Sequence, residues 1–287
     1  MLAIVGMVVL LVMVFGGFAL AGGNLGPVLA ALPHEMMIIG GAAAGAMLVG
    51  NSLDLLKQIG AGIVRVIKGP RFGKADYLAA IALTVKLMRL LKAEGAVAVE
   101  PHVEQPQSSA IWAEAPRLRD DHMFQGLVCD TLRLLVVSTG TVSSVAIEDV
   151  LDTALETHHH HASRPADALQ TLGDALPALG IVAAVLGVIK TMGSIDQPPP
   201  VLGAMIGSAL VGTFLGVFLA YGLVAPAASR LRQIEEADGQ IYQVVRRVIL
   251  ASLRNQPQPI VLEAARTAIP PENQPSFTEV FEGSRGR

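Results

Sequence analysis

The side chains of this chain that could do chemistry fall into three groups. Thr213 lies within the apolar stretch Gly212-Thr213-Phe214-Leu215-Gly216, where its hydroxyl can ligate an ion or a water, or bond back to a carbonyl of its own helix. Pro177 and Pro226 interrupt or end such stretches. Each removes a helical N–H and frees a carbonyl, which opens a polar spot or a hinge, or else simply punctuates a helix near its end. Lys86, Arg89 and Lys92 form a basic face, and Glu94, Glu100 and Glu104 form an acidic cluster around Gly95. That pattern fits a solvated helix end and turn, or an electrostatic docking face whose encounter with a protein partner weakens with salt.

Other chemistry lacks support in the residues. His158 to His161 are expected in a solvated loop, because only alternate positions suit one helical face and no Cys or further His is near in sequence. The one cysteine, Cys129, excludes an intrachain disulfide framework or a CxxC metal site and reads as a buried apolar thiol. The glycines of the apolar stretches have no Lys-Ser/Thr after them, so they are not phosphate cradles. Neither a catalytic motif nor a metal, cofactor or nucleic-acid site is expected.

The elements that must position these groups are membrane helices. Among 287 residues, 52% are apolar and 16% charged, with a net charge of −3, the balance of an integral membrane protein with sizeable polar parts. Four stretches have the length and freedom from charge to span a bilayer, residues 1–21, 33–52, 172–192 and 201–225. No Lys or Arg precedes the first apolar stretch, which argues for a retained helix rather than a cleaved signal. The first and last pairs of spans enclose short loops without Lys or Arg, whereas basic residues follow the second and fourth spans. The positive-inside rule thus places both termini and the long middle region in the cytoplasm, with Lys190 snorkelling to the outer interface.

The expected fold is therefore an all-α membrane protein. Residues 1–52 hold the first two spans, 53–171 a cytoplasmic helical domain, 172–226 the last two spans, and 227–287 a cytoplasmic helix and tail. Helical spacing appears over residues 53–67, 76–92, 123–138 and 144–158, and a helix over 230–253 continues the fourth span. Prolines at 257, 259, 270, 271 and 275 predict an irregular end.

Small residues line the spans at helical spacing: Ser208, Gly212, Gly216 and Ala220 in the fourth, Gly180 with Ala184 and Ala183 with Gly187 in the third, Gly41 with Gly45 in the second. Such stripes serve close packing within one subunit or against another chain. With these boundaries no Asp, Glu, Arg or His lies well inside a span, so an ion path would need its carboxylate from elsewhere.

The run from Gly173-Asp174-Ala175-Leu176-Pro177 through Gly187, the run Leu210-Val211-Gly212-Thr213-Phe214-Leu215-Gly216 through Leu219-Ala220-Tyr221-Gly222, and Pro226 resemble the MotA/PomA flagellar stator subunits. Span count, order and the large insert between the second and third spans agree. The resemblance implies an inner-membrane homo-oligomer, a pentamer embedded in lipid, around a MotB-like single-span partner that binds peptidoglycan and supplies the ion-binding aspartate. It implies that ion flow turns the ring and that its polar domains drive the rotor switch-complex protein through charged contacts.

By the same resemblance Pro177 and Pro226 couple ion passage to motion, and Thr213 lines the ion path, with Tyr221 near it. Ala184 stands where sodium-driven members carry threonine, which implies a proton. Glu100 matches an acidic torque residue, and Lys92 stands where many members have arginine, keeping charge but not the planar fork. Two alternatives remain at this point: a TolQ/ExbB-type energiser, for which three spans rather than four are expected, and a non-conducting membrane scaffold.

Overall fold

The computed structural model describes residues 2–138 and 142–285. Met1, where the first expected span begins, and the last two tail residues, Gly286 and Arg287, lie outside them. Every regular element among the described residues is helical. Four helices are long and apolar enough to cross a membrane: Ala3–Leu20, Leu25–Gly50, Ser144–Met192 and Pro199–Leu253.

In chain order the helices are α1 (Leu2–Leu11), α2 (Gly17–Leu20), α3 (Leu25–Gly50), α4 (Leu53–Lys68), α5 (Lys74–Glu94), α6 (Ala96–Glu104), α7 (Ala110–Ala113), α8 (Pro116–Arg119), α9 (His122–Val137), α10 (Ser144–Met192), α11 (Pro199–Val217), α12 (Ala225–Leu253), α13 (Gln258–Arg266) and α14 (Phe277–Arg285). A π-helical segment, Val12–Gly16, joins α1 to α2, and another, Phe218–Val224, joins α11 to α12. Local chemistry sets the ends. The Asn24 side chain accepts from the Gly26 N–H at 2.8 Å, and Ser52 caps α4 through the Leu55 N–H at 3.3 Å. Gly69 (φ 88°) and Gly95 (φ 83°) stop α4 and α5 in a backbone region that side-chain-bearing residues avoid.

The chain forms two compact units, Met1–Gly69 with Ser163–Ile234, and Pro70–Ala162 with Glu235–Arg287. In the first, Ile39 and Ala43 of α3 pack with Leu176 and Ala183 of α10, Leu215 of α11 and Ala220. A second cluster joins Leu55 and Ile59 of α4 to Ala166, Leu169, Ala228 and Leu231. The other unit is built around Trp112, Tyr77, Phe124, Leu87, Leu132, Ile147, Leu151 and Tyr242. Its Trp112 meets Phe124 edge to face at 6.0 Å and donates from Nε1 to the His102 carbonyl at 3.0 Å. Cys129 is buried there as expected, and burial pushes its thiol up to about 12.

Four expectations need correction. The second membrane helix begins at Leu25 rather than near Pro33, so Pro33, His34 and Glu35 lie in the interior of the helix rather than at its start. The Asn24 cap starts that helix earlier than a proline does. His158 to His161 belong to α10, which runs unbroken through Pro165. Burial of Ala166 and Leu169 against α4 and α12 outweighs the single hydrogen bond that Pro165 removes. The end of the chain is not wholly irregular, because α13 and α14 form between its prolines, with Val261, Leu262, Ala265 and Val280 buried. Finally, the spans are not free of acid: Glu35 is buried, as described below.

Candidate functional site

The seam between α10 and α11 is a backbone contact. A Cβ added to Gly180 would lie 2.8 Å from the Gly212 carbonyl oxygen and 3.0 Å from Gly216 Cα. One on Gly216 would lie 2.7 Å from the Leu176 carbonyl oxygen and 2.8 Å from Gly180 Cα, and one on Gly187 would lie 2.6 Å from Ala209 Cβ. The stripes of the third and fourth spans therefore pack against each other within one chain. Gly41 and Gly45 of α3 differ, since a Cβ there would meet nothing within 4 Å.

This seam gathers three of the expected path residues. A Cβ on Gly212 would lie 3.2 Å from the Ala184 backbone nitrogen, which puts Ala184 beside the residue preceding Thr213. Pro177 follows Leu176, whose carbonyl faces Gly216. Thr213 itself is half-buried, and its hydroxyl makes no hydrogen bond among the described residues. Thr191, by contrast, donates back to the Gly187 carbonyl at 2.9 Å. Of the two uses open to the Thr213 hydroxyl, back-bonding is absent among the described residues.

Tyr221 and Pro226 lie farther along. Tyr221 falls in the π-helical segment and is 64% exposed, and Pro226 is in the first turn of α12, also exposed. Yet the two prolines act on neighbouring turns. Pro177 leaves the Gly173 carbonyl without its helical N–H, and a Cβ on Gly173 would lie 3.5 Å from Val224 Cγ1 and 3.6 Å from the Ala225 nitrogen, next to Pro226. The wide π turn ends where Pro226 cannot bond the Gly222 carbonyl. Sequence reasoning did not find that turn, and the spacing gives no signal for it, since Gly173 stands four residues before Pro177 within a regular α-helix.

Sequence reasoning also missed Glu35. It is 6% exposed, and its Oε2 has no hydrogen-bond partner among the described residues. It rests over Gly212: a Cβ there would come within 2.6 Å of that oxygen. The signal was an acid two residues after Pro33 at the head of an apolar run, which a helix start at Pro33 hides.

In the second unit the charged cluster separates into paired and unpaired members. Lys86 bridges to Glu114 at 2.6 Å and Glu104 to Arg133 at 2.7 Å, a bond that lowers the Glu104 carboxyl. Lys92 donates to the Asn255 side chain at 2.8 Å. Glu100, on the exposed side of α6, pairs with no group among the described residues. Lys92 and Glu100 thus flank the Gly95 turn with charges that no partner of opposite sign among the described residues neutralises.

Two family profiles match the sequence: Motility protein A N-terminal over residues 4–95 and the MotA/TolQ/ExbB proton channel family over residues 120–243. The chain is similar to Motility protein A of Salmonella typhimurium, 38% identical over 285 residues, covering 99% of this chain and 95% of that one. Its fold is shared with a solved structure of C. jejuni MotAB, at TM-score 0.74 and 20% identity, covering 96% of this chain and 98% of the other. A flagellar MotAB stator complex from Bacillus subtilis matches at TM-score 0.70 and 20% identity, over 93% of this chain and 95% of that chain.

Proposed function

We infer the function of this chain from its membership: it belongs to the motility protein A family, within the wider MotA/TolQ/ExbB proton channel family. It is a flagellar motor stator subunit that forms a proton channel with a MotB-like partner and converts proton motive force into torque. The structural observation that best supports this reading is the glycine seam, beside which lie Pro177, Ala184 and Thr213, whose hydroxyl has no bond among the described residues.

The first unit sits in the inner membrane, with the Lys- and Arg-free turns before α3 and before α11 outside and both termini in the cytoplasm. The second unit is the cytoplasmic part. The partner brings a single span and an aspartate to the Thr213 side of the seam. A proton held there or released changes the charge that the Thr213 hydroxyl and the carbonyl freed by Pro177 must face, and α10 and α11 shift in response. Pro226 and the π turn take up the bend. Several copies of the chain, a pentamer by family likeness, surround the partner. Lys92 and Glu100 meet charges of opposite sign on the rotor. Ala184 in place of a second threonine favours the proton over sodium.

Co-expression with the native partner and measurement of cytoplasmic acidification test the reading. The expected result is an inward proton flux that needs both chains; no flux from an assembled complex would overturn it. The match to the motility-specific profile over residues 4–95 favours the motor over a TolQ/ExbB-type energiser.

A further inference from the structure

A carboxylate buried in an apolar unit must be neutralised, paired or hydrogen-bonded. Glu35 is 94% buried, counting from its 6% exposure, and its Oε2 has no partner among the described residues. The absence of a Cβ at Gly212 is what lets it sit there, 2.6 Å from where that atom would be. Glu35 is also one of the residues lining a cavity of about 620 Å³. That cavity is bounded by Gly26 and Pro27 in the first turn of α3, by Lys190 and Thr191 in the last turns of α10, and by Ser208 of α11, so it lies at the ends of the helices next to the two short loops. It holds room for several waters, and its polar lining supplies their partners.

We propose that Glu35 is a protonatable carrier site of this chain, loaded through that cavity and set one residue from Thr213 along α11. The inference rests on the proposed proton flux and adds a carboxyl on this chain to the one expected on the partner. In the step itself a hydrated proton in the cavity passes to the Glu35 carboxylate, which becomes a neutral acid and leaves water behind. The same proton then leaves to water or to the next acceptor on the Thr213 side, and the carboxylate is restored. No bond other than O–H forms or breaks.

A proton suits the site better than a metal cation. A hard cation needs a shell of oxygens, whereas the acidic and hydroxyl side chains along the cavity are those of Glu35, Thr191 and Ser208 alone, and two basic residues, Lys190 and His34, also line it. Thr191 has its proton committed to the Gly187 carbonyl, so towards the cavity it can only accept.

The purified complex of the chain with its partner, in vesicles bearing a pH-sensitive dye, gives the test. Glu35→Gln keeps size and polarity but cannot carry a proton, and its proton flux should fall by about tenfold or more, with Glu35→Asp retaining part of it. Infrared difference spectra of the same complexes should show a protonated carboxyl band that Glu35→Gln removes and that Gly212→Ala displaces. Wild-type flux in Glu35→Gln would overturn the proposal and leave Glu35 as a group that merely bonds to the partner chain. Flux carried by sodium at constant pH would overturn the proton as its ligand. A Glu35 band that titrates in a wild-type complex carrying no current would leave the site standing and remove the channel reading instead.

Discussion

The Lys92 ammonium, at the end of α5, donates to the Asn255 side chain at 2.8 Å, and Asn255 is the one non-glycine residue with positive φ, 54°, among the described residues, in the turn that follows α12. The bond fixes the direction of the Lys92 charge without neutralising it.

Reversal of that charge should therefore impair torque and spare assembly. Lys92→Glu and Glu100→Lys are each expected to slow or stop swimming at normal membrane levels of the protein. If each charge meets its own partner on the rotor, as the proposed function has it, the double reversal should not restore motility. Swimming assays with immunoblots of membrane fractions check this. Glu104→Lys serves as the contrast, since it breaks the bond to Arg133 and should lower the thermal stability of the protein itself.

Gly216→Ala would drive a methyl to 2.7 Å from the Leu176 carbonyl oxygen and 2.8 Å from Gly180 Cα. Neither atom is a side chain that can swing aside. The cost should be about 1–3 kcal/mol of overpacking, read as a lower melting temperature of the detergent-solubilised protein and loss of motility. Gly41→Ala meets nothing within 4 Å in its own chain and should leave the isolated subunit's melting temperature unchanged.

Thr213→Val preserves shape and removes the hydroxyl, which has no bond to lose among the described residues. It should keep full expression and assembly while proton flux falls by about tenfold or more. Thr213→Ser should retain most of the flux. Swimming speed of the wild type should follow the proton gradient and ignore external sodium, and sodium dependence at a fixed gradient would refute the use made of Ala184.

The Glu279 carboxyl accepts from Lys74 at 2.7 Å and from the Ser276 N–H and hydroxyl at 2.7 and 2.9 Å, and these bonds hold it at about 2, below its ordinary 4.5. A carboxyl depressed in the folded state stabilises fully above its unfolded value and loses that contribution as pH falls through the folded one. Docking of α14 should thus be constant above about pH 5 and weaken between about pH 4.5 and 2. Hydrogen exchange of residues 277–285 should accelerate over that range, and Glu279→Gln should show the faster exchange already at neutral pH.

Arg71 binds Asp238 twice, through its backbone N–H at 2.7 Å and its Nε at 3.1 Å, and reaches Asp121 at 3.3 Å. Asp238 is nearly fully buried. Arg71→Ala should cost about 2 kcal/mol, less than a wholly buried pair because the arginine side chain is half exposed. A melting curve of the full chain measures it.

Much of this was legible in the sequence because membrane helices announce themselves by length and lack of charge. Four spans, the polar insert, the continuation of the fourth span into α12 and the stripes of small residues follow from residue type and spacing, whereas the meeting of Gly180 with Gly216 within one chain needs the structure. What failed was punctuation. A span that starts at Pro33 and a loop at His158 to His161 are the two readings that fail: the Asn24 cap starts α3 earlier, and burial carries α10 through Pro165. The first hides Glu35, because a start at Pro33 puts that acid in the opening turn of the span rather than well inside it. The lone Thr213 hydroxyl and the selection of Glu100 over Glu104 as the unpaired acid depend on contacts between distant residues, which spacing alone does not carry.

The glycine seam has a mechanical consequence. Side-chain contacts have slack, because rotamers can turn and refill a gap before backbones move. Gly180 and Gly216 touch with nothing between their main chains, so there is no such play in the joint. A small displacement of α10 must appear at once, undiminished, in α11, as in a gear cut without backlash.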